Sequence, residues 1–486
     1  MMAIYFAVVV SMSPDQCLLV LHEEKANLLW TFKSTTEQAL ARAGLLETDE
    51  IITIQAFAIF LTSLRIHNSV RVMSTLTALL VRLAQNAGLH RDGTHFGLPP
   101  FVVEMRRRLW WSICVLESRA CEDTGYDATI PYESVDTQLP LNVNDSDLFP
   151  AMKQLPQSRT GLTEMTFSVV RFESTKTFRH LQDVSMGSAG KDSKKTAAET
   201  LSEKVEAISA IRKRLREVYL DHLDISDPIA WYTITICQIV QSKMSLVTYH
   251  PYMRLAGPAE LLHGVKDRLF EEATTAIECW LRLNEEESTI QWRWLCETYV
   301  QWYALAFLLS ELCERTYGDA VDRAWKAVDG ALRLGAKIHS CAYGRSGVDV
   351  PQLSNAEGPP CESYKPLRKL LQRARSVRKN IFAQTDPETG KESSETSHSP
   401  SSSPSHGLSH EANNFGMPNG MSAGVDSGPN DPMMESCWQG ENGDVTGEWL
   451  FGNAALPDMQ FGDDLGLGIN WPMYPWGDDV GLGVQL

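Results

Sequence analysis

The stretch VRVMSTLTALLVRLAQNAG, Val70–Gly88, decides the class of fold. Val70, Met73, Leu76, Leu79, Leu80, Leu83 and Ala87 recur at spacings of three and four, which places them on one face of an α-helix. Gly88 follows where such a helix ends. The pattern extends outward. Thr53–Leu64 precedes it, and Val102–Leu116 continues it through Met105, Leu109, Ile113 and Leu116. Tyr126–Leu148 is an irregular connection, marked by Pro131, Pro140, Asn142, Asn144, Asp145 and Asp147. Thr163–Asp183 is helical again, and a polar Gly/Ser/Lys loop follows near 185–198. Glu199–Leu223 is a basic amphipathic helix. Pro228 opens a long apolar helix over Ile229–Tyr249, which His250-Pro251 is expected to end. Ala259–Leu283, Trp292–Tyr317, Ala320–Ile338 and Pro366–Phe382 complete the series. No segment alternates as a strand does, so the expected fold class is all-α.

Composition divides the chain. Its 486 residues carry a formal charge of −17, but Gln384–Leu486 holds sixteen acids and one lysine. That stretch accounts for −15, leaves −2 for the first 383 residues, and contains half of the 32 glycines. A helical domain over 1–383 is therefore expected, followed over 384–486 by a disordered acidic tail too poor in apolar residues to offset chain entropy. The balance disfavours bulk attraction to nucleic acid. No apolar run is long enough to span a bilayer, and no membrane association is expected.

The start of the chain is apolar, Met1–Val10, but has no basic segment before it and a poor cleavage site in Ser11–Asp15. It is expected to be a packed helix rather than a signal peptide. No two of the ten cysteines are separated by two residues, which removes the usual zinc spacings. Cys279, Cys296 and Cys313 repeat at 17 in apolar helical settings, as buried free thiols would.

Residues 84–148 carry an ordered set of short motifs. Ala87-Gly88-Leu89-His90-Arg91-Asp92 comes first, then Glu104-Met105-Arg106-Arg107-Arg108-Leu109-Trp110-Trp111. Gly125, Leu139-Pro140, Asn142, and Asn144-Asp145 with Asp147-Leu148 complete it. This order resembles the fungal-specific transcription factor domain, the helical middle homology region of the fungal binuclear zinc cluster regulators. Leu18–Thr77 and Tyr249-His250-Pro251 are similar to its flanks, so the resemblance covers about residues 3–380. It implies a nuclear regulator of metabolic genes, often of a neighbouring secondary-metabolite cluster, and no enzymatic activity. Family members bind DNA through an N-terminal six-cysteine, two-zinc module, which this sequence lacks. Either Met1 is an internal start within a longer frame, or the module has been lost. Zinc is expected only with such a module upstream. DNA contact would come from it or from a partner.

The singled-out residues each have two readings. Arg106–Arg108 with Trp110-Trp111 suits a nucleic-acid patch with stacking. The preferred reading is structural: Glu104 and Arg108 pair at i, i+4, and the arginines bind carboxylates of the Asn144–Asp147 loop. Glu122, Asp123, Asp145 and Asp147 are candidate metal ligands of an all-α enzyme, disfavoured because they lack converging helical spacing. His90-Arg91-Asp92 is read as capping and turn chemistry after Gly88. Arg212–Arg214 and the basic run from Arg368 to Lys379 are nuclear-import candidates, or the solvated faces of amphipathic helices. No catalytic, cofactor or metal residue is assigned.

The tail is the candidate activation region, over 443–486. Trp449, Phe451, Trp471 and Trp476 lie among acids, and Asp463-Asp464-Leu465 with Leu467 returns as Asp478-Asp479-Val480 with Leu482. Acidic–aromatic composition suits a segment that folds onto a coactivator. Homo- or heterodimers are the other partners considered. The alternative function is a co-regulator without DNA binding that acts through a partner.

Overall fold

A computed structural model describes residues 1–65, 70–124, 129–130, 134–187, 197–254, 264–297, 299–342 and 365–385. All of these lie within the unit Met1–Asn442. Among the described residues there is no strand, and the fold is all-α. Its main helices are α1 (Met2–Ser11), α2 (Lys25–Arg42), α3 (Ile51–Leu64), α4 (Val70–Asn86), α5 (Pro100–Thr124), α6 (Thr166–Gly187) and α7 (Ala197–Val218). There follow α8 (Pro228–Arg254), α9 (Val265–Glu285), α10 (Arg293–Glu297), α11 (Trp302–Glu311), α12 (Asp319–Ala342) and α13 (Lys365–Thr385).

The apolar start is a packed helix. α1 buries Ala3, Phe6, Val9 and Val10 against α2 and α3, with the Phe6 and Phe60 rings 5.4 Å apart. Lys25 Nζ then donates to the carbonyls of Val10 (3.0 Å) and Met12 (2.5 Å), groups that a helix end leaves unpaired. α4 buries Met73, Leu76, Leu80 and Leu83 as its periodicity requires, and packs on α5. Val70, at its first turn, is exposed. α5 leads through α6 to the second half of the domain, where α9 is the central helix, touching α8, α11 and α12. Phe270, Ile277, Trp280, Leu308 and Val328 form the interior there. Leu367 and Ala374 of α13 close it.

Four expectations about boundaries are corrected. Pro251 does not end α8, which runs on to Arg254. The missing proline N–H forfeits one helical bond, and the α8 face already packed on α9 holds the direction of the chain. The polar loop begins later than 185, since α6 continues to Gly187. The helix read from Ala259 is α9, which begins at Val265 behind Gly264 (φ +73°). Trp292–Tyr317 is not one helix. It breaks after α10 and resumes at Trp302, with Gln301 at φ −87°, ψ 64° and its Nε2 donating to the Tyr299 carbonyl at 2.6 Å.

Candidate functional site: an arginine–carboxylate knot and a charged cavity

The motif residues converge where α4 ends against α5. Gly88 adopts φ +70°, and the N–H groups of Gly88 and Leu89 return to the carbonyls of Gln85 and Ala84, both at 2.9 Å. This is the six-to-one and five-to-two pairing that closes a helix at glycine. Arg106 reinforces it by donating to the Ala87 carbonyl at 2.7 Å. Leu89 is fully buried, and the His90 ring lies 6.2 Å from that of Trp110. Burial, with Arg91 nearby, lowers the His90 pKa. Arg91 itself pairs with Asp136 at 2.8 Å.

Asp92 is the centre of the knot. It accepts Arg107 Nε at 2.8 Å and Nη2 at 3.0 Å, the Gln138 N–H at 3.0 Å, and the Thr94 N–H and hydroxyl. Burial pushes the Asp92 carboxyl up, but Arg107, Gln138 and Thr94 overrule it and hold the group well below the usual carboxylate range. Arg108 turns the other way, donating to Glu104 at 3.0 Å and to Asp145 at 2.7 Å. Both pairings were expected, one from helical spacing and one from the loop's acids. Glu104 also accepts the Leu141 N–H, and its burial pushes its carboxyl upward despite Arg108.

The irregular connection is thereby tied to α5. Asn142, wholly buried beside the buried Pro140, has every side-chain position filled. Its Nδ2 donates to the carbonyls of Arg159 and Gly161, both at 2.9 Å, and its Oδ1 accepts the hydroxyls of Thr163 (2.7 Å) and Thr166 (2.9 Å). Asp147 accepts the Asn144 N–H at 2.9 Å and Arg159 at 2.5 Å. Gly161 carries φ +77° and Thr166 starts α6, so Asn142 sets the entry to that helix. Trp110 and Trp111 are 0% and 3% exposed, and Trp111 Nε1 donates to the Gln138 carbonyl. They offer no stacking surface. Gly125 lies outside the described residues, as do Trp449, Phe451, Asp463, Asp464, Leu465, Leu467, Trp471, Trp476, Asp478 and Asp479.

The carboxylates weighed as metal ligands are engaged by cations instead. Asp123 pairs with Arg65, and Glu122 takes Lys243 Nζ at 2.5 Å and Arg119 Nη1 at 3.1 Å. Among the described residues no three His, Cys, Asp or Glu side chains are grouped to hold a metal ion. Cys279, Cys296 and Cys313 are separated; Cys296 Sγ meets the Tyr232 hydroxyl at 2.9 Å, and Cys313 the Leu309 carbonyl. Burial pushes the Cys114 and Cys237 thiols up to about 12. These separated, largely buried thiols do not fit the closely spaced ligands of a zinc cluster.

The basic runs are partly paired with carboxylates. Arg212 binds Glu272, Arg214 binds Glu173 at 2.7 Å, and Arg375 and Arg378 reach Asp329 and Asp322. Lys213 and Lys369 stay exposed.

A second cluster was not anticipated. Arg119 and Glu122 of α5, Arg171 of α6 and Lys243 of α8 line one cavity of about 90 Å³, with Tyr232 and Tyr299. Lys243 Nζ reaches the Tyr299 hydroxyl at 3.1 Å, and the Arg119 guanidinium stands 3.8 Å from the Tyr299 ring centre. The available signal was Lys243, the sole charged residue of the apolar stretch 228–249.

Comparison with known proteins gives the family of this helical region. The description "Fungal specific transcription factor domain" matches residues 26–251. Residues 26–251 belong to that family. The Aurofusarin cluster transcription factor aurR2 of Gibberella zeae is 30% identical over 328 residues, 67% of this chain and 48% of that protein. The Pyriculol/pyriculariol biosynthesis cluster transcription factor 1 of Pyricularia oryzae is 29% identical over 68% of this chain and 44% of that protein. The C6 finger domain transcription factor adaR of Aspergillus niger is 28% identical over 68% and 44%. The chain thus spans about half the length of the curated relatives it matches. No solved structure matches it. No described helix of this fungal transcription factor domain is long and apolar enough to cross a membrane.

Proposed function

We propose that the chain is a nuclear transcription regulator of a fungal secondary-metabolite gene cluster. The observation that carries this is the family match over 26–251, together with relatives named as regulators of such clusters. The helical domain is its regulatory body and 443–486 its activation region, acting on coactivators and in a homo- or heterodimer. DNA is contacted through a zinc module or a partner outside these helices. The hydrogen bonds that Arg106, Arg107 and Arg108 make within the domain support that division. The protein is not an enzyme in this reading.

The experiment fuses the chain, and separately Gly443–Leu486, to a heterologous DNA-binding domain above a reporter. Both fusions are expected to activate. Silence from both, with the untagged chain held in the cytosol, ends this reading. If the fusions activate but the transcript encodes no in-frame cysteine-rich segment upstream of Met1, the co-regulator alternative takes its place.

A further inference from the structure

Among the described residues, charges do not balance around the cavity between α5, α6 and α8. Among its described lining residues Glu122 is the one carboxylate, and it already holds Lys243 and Arg119. Next to it, Arg65 is matched by Asp123. Arg171 is left over. Among the described residues it makes neither a hydrogen bond nor an ion pair; its guanidinium carbon stands 5.2 Å from the Phe167 ring centre. Burial lowers its pKa and Arg119 adds repulsion, yet a guanidinium keeps its proton in proteins. Arg171 is half-buried, and with no carboxylate partner among the described residues it offers a planar fork of donors to an incoming anion.

Aromatic rings make up much of the rest of the wall, beside the hydroxyls of Ser118, Ser174 and Thr175. Phe167, Phe178, Tyr232 and Tyr299 face the same space, with Phe167 and Tyr232 5.3 Å apart. Lys243 Nζ lies 5.3 Å from Phe178 and 5.2 Å from Tyr299. Convergent cations on an aromatic wall are what an orienting site for a small ligand requires. The volume sets the size: an apolar cavity of about 150 Å³ holds benzene, so about 90 Å³ admits a short acid directly and a single ring when side chains yield.

We propose that this cavity binds a small organic carboxylate, carried on a single ring or a shorter apolar body, with Arg171 as its ion-pair partner. The carboxylate supplies the charge that Glu122 cannot, and the body lies against the aromatic wall. The ligand joins three helices that are distant in sequence, so its binding stabilises the arrangement of α5, α6 and α8.

The test uses the purified full chain, with benzoate and propionate as probes. Sodium chloride at matched ionic strength and uncharged benzamide are controls. At about one hundred times its dissociation constant, a bound probe shifts the folding equilibrium about a hundredfold, read as a saturable rise in Tm. At least one carboxylate is expected to give this rise, and neither control. No rise with either acid, or an equal rise with benzamide, overturns the proposal. Arg171→Met should leave the ligand-free Tm unchanged or higher and abolish the response. Arg171→Lys, which keeps the charge without the fork, should fold and weaken the response without removing it. If Arg171→Met lowers the ligand-free Tm while benzoate still protects it, Arg171 is a structural cation and the proposal fails. Binding is read on the isolated chain, so its failure leaves the transcriptional reading standing, and the reverse.

Discussion

Three consecutive arginines point three ways. Arg106 reaches back to the end of α4, Arg107 closes on Asp92, and Arg108 bridges Glu104 to Asp145. The last of these was legible in the sequence, because helical spacing and one acidic loop were enough to predict it. The Asp92–Arg107 pair was not, since its members sit on opposite sides of a turn that no periodicity describes. Both partners are buried, at 1% and 5% side-chain exposure, so Asp92→Asn leaves a guanidinium without its counter-charge. The expected loss is about 3–5 kcal/mol by urea unfolding at neutral pH. Its pH dependence has a definite sign. Burial would raise the Asp92 pKa, but Arg107, Gln138 and Thr94 lower it, so on acidification the unfolded chain protonates first. The stabilisation is whole above the unfolded value of about 3.9 and disappears as pH falls through the lower folded value. The gap between wild type and Asp92→Asn should therefore stay flat down to about pH 5 and close only in stronger acid. A gap that closes near neutrality would show that another group carries the effect.

Helices were legible wherever one face is apolar and the ends carry turn chemistry. α4 met both conditions, and its end makes a direct test. A Cβ built on Gly88 lies 3.5 Å from Arg106 Nη2, an ordinary contact, so nothing there clashes. The positive φ is the whole cost. Gly88→Ala should lose about 1–2 kcal/mol in urea unfolding, and Gly88→Asn less, because asparagine tolerates this conformation. A loss well above that range would mean that the Arg106 bond to Ala87 breaks as well. The break between α10 and α11 was not legible. Apolar spacing runs straight through it, yet Tyr299 leaves the helix and places its ring and hydroxyl against Arg119 and Lys243. A side chain's obligation to charges on α5 and α8 is invisible to a local pattern. The charged cavity escaped notice for the same reason: its four ionic residues lie on three helices, and only the isolated Lys243 signals that an anion must meet it.

The charge of the whole molecule is uneven, −15 in the last 103 residues and −2 before them. With the tail removed the helical body is nearly neutral, so its basic runs could attract DNA locally. The pairing of its cations argues otherwise. The basic run on α7 is divided between Glu272 and Glu173, and that on α13 reaches Asp322 and Asp329. Duplex binding scales with the number of phosphates a protein neutralises, and it falls steeply with salt. Basic runs whose arginines already hold carboxylates present fewer such contacts. A chain ending at Thr385 should therefore bind random duplex no more than marginally in a gel shift at about 50 mM salt, and not at about 200 mM. Strong, salt-sensitive binding by that shortened chain would show that exposed cations such as Lys213 and Lys369 form a working nucleic-acid face. The tail would then act as its electrostatic mask, and DNA contact would no longer have to come from a separate module.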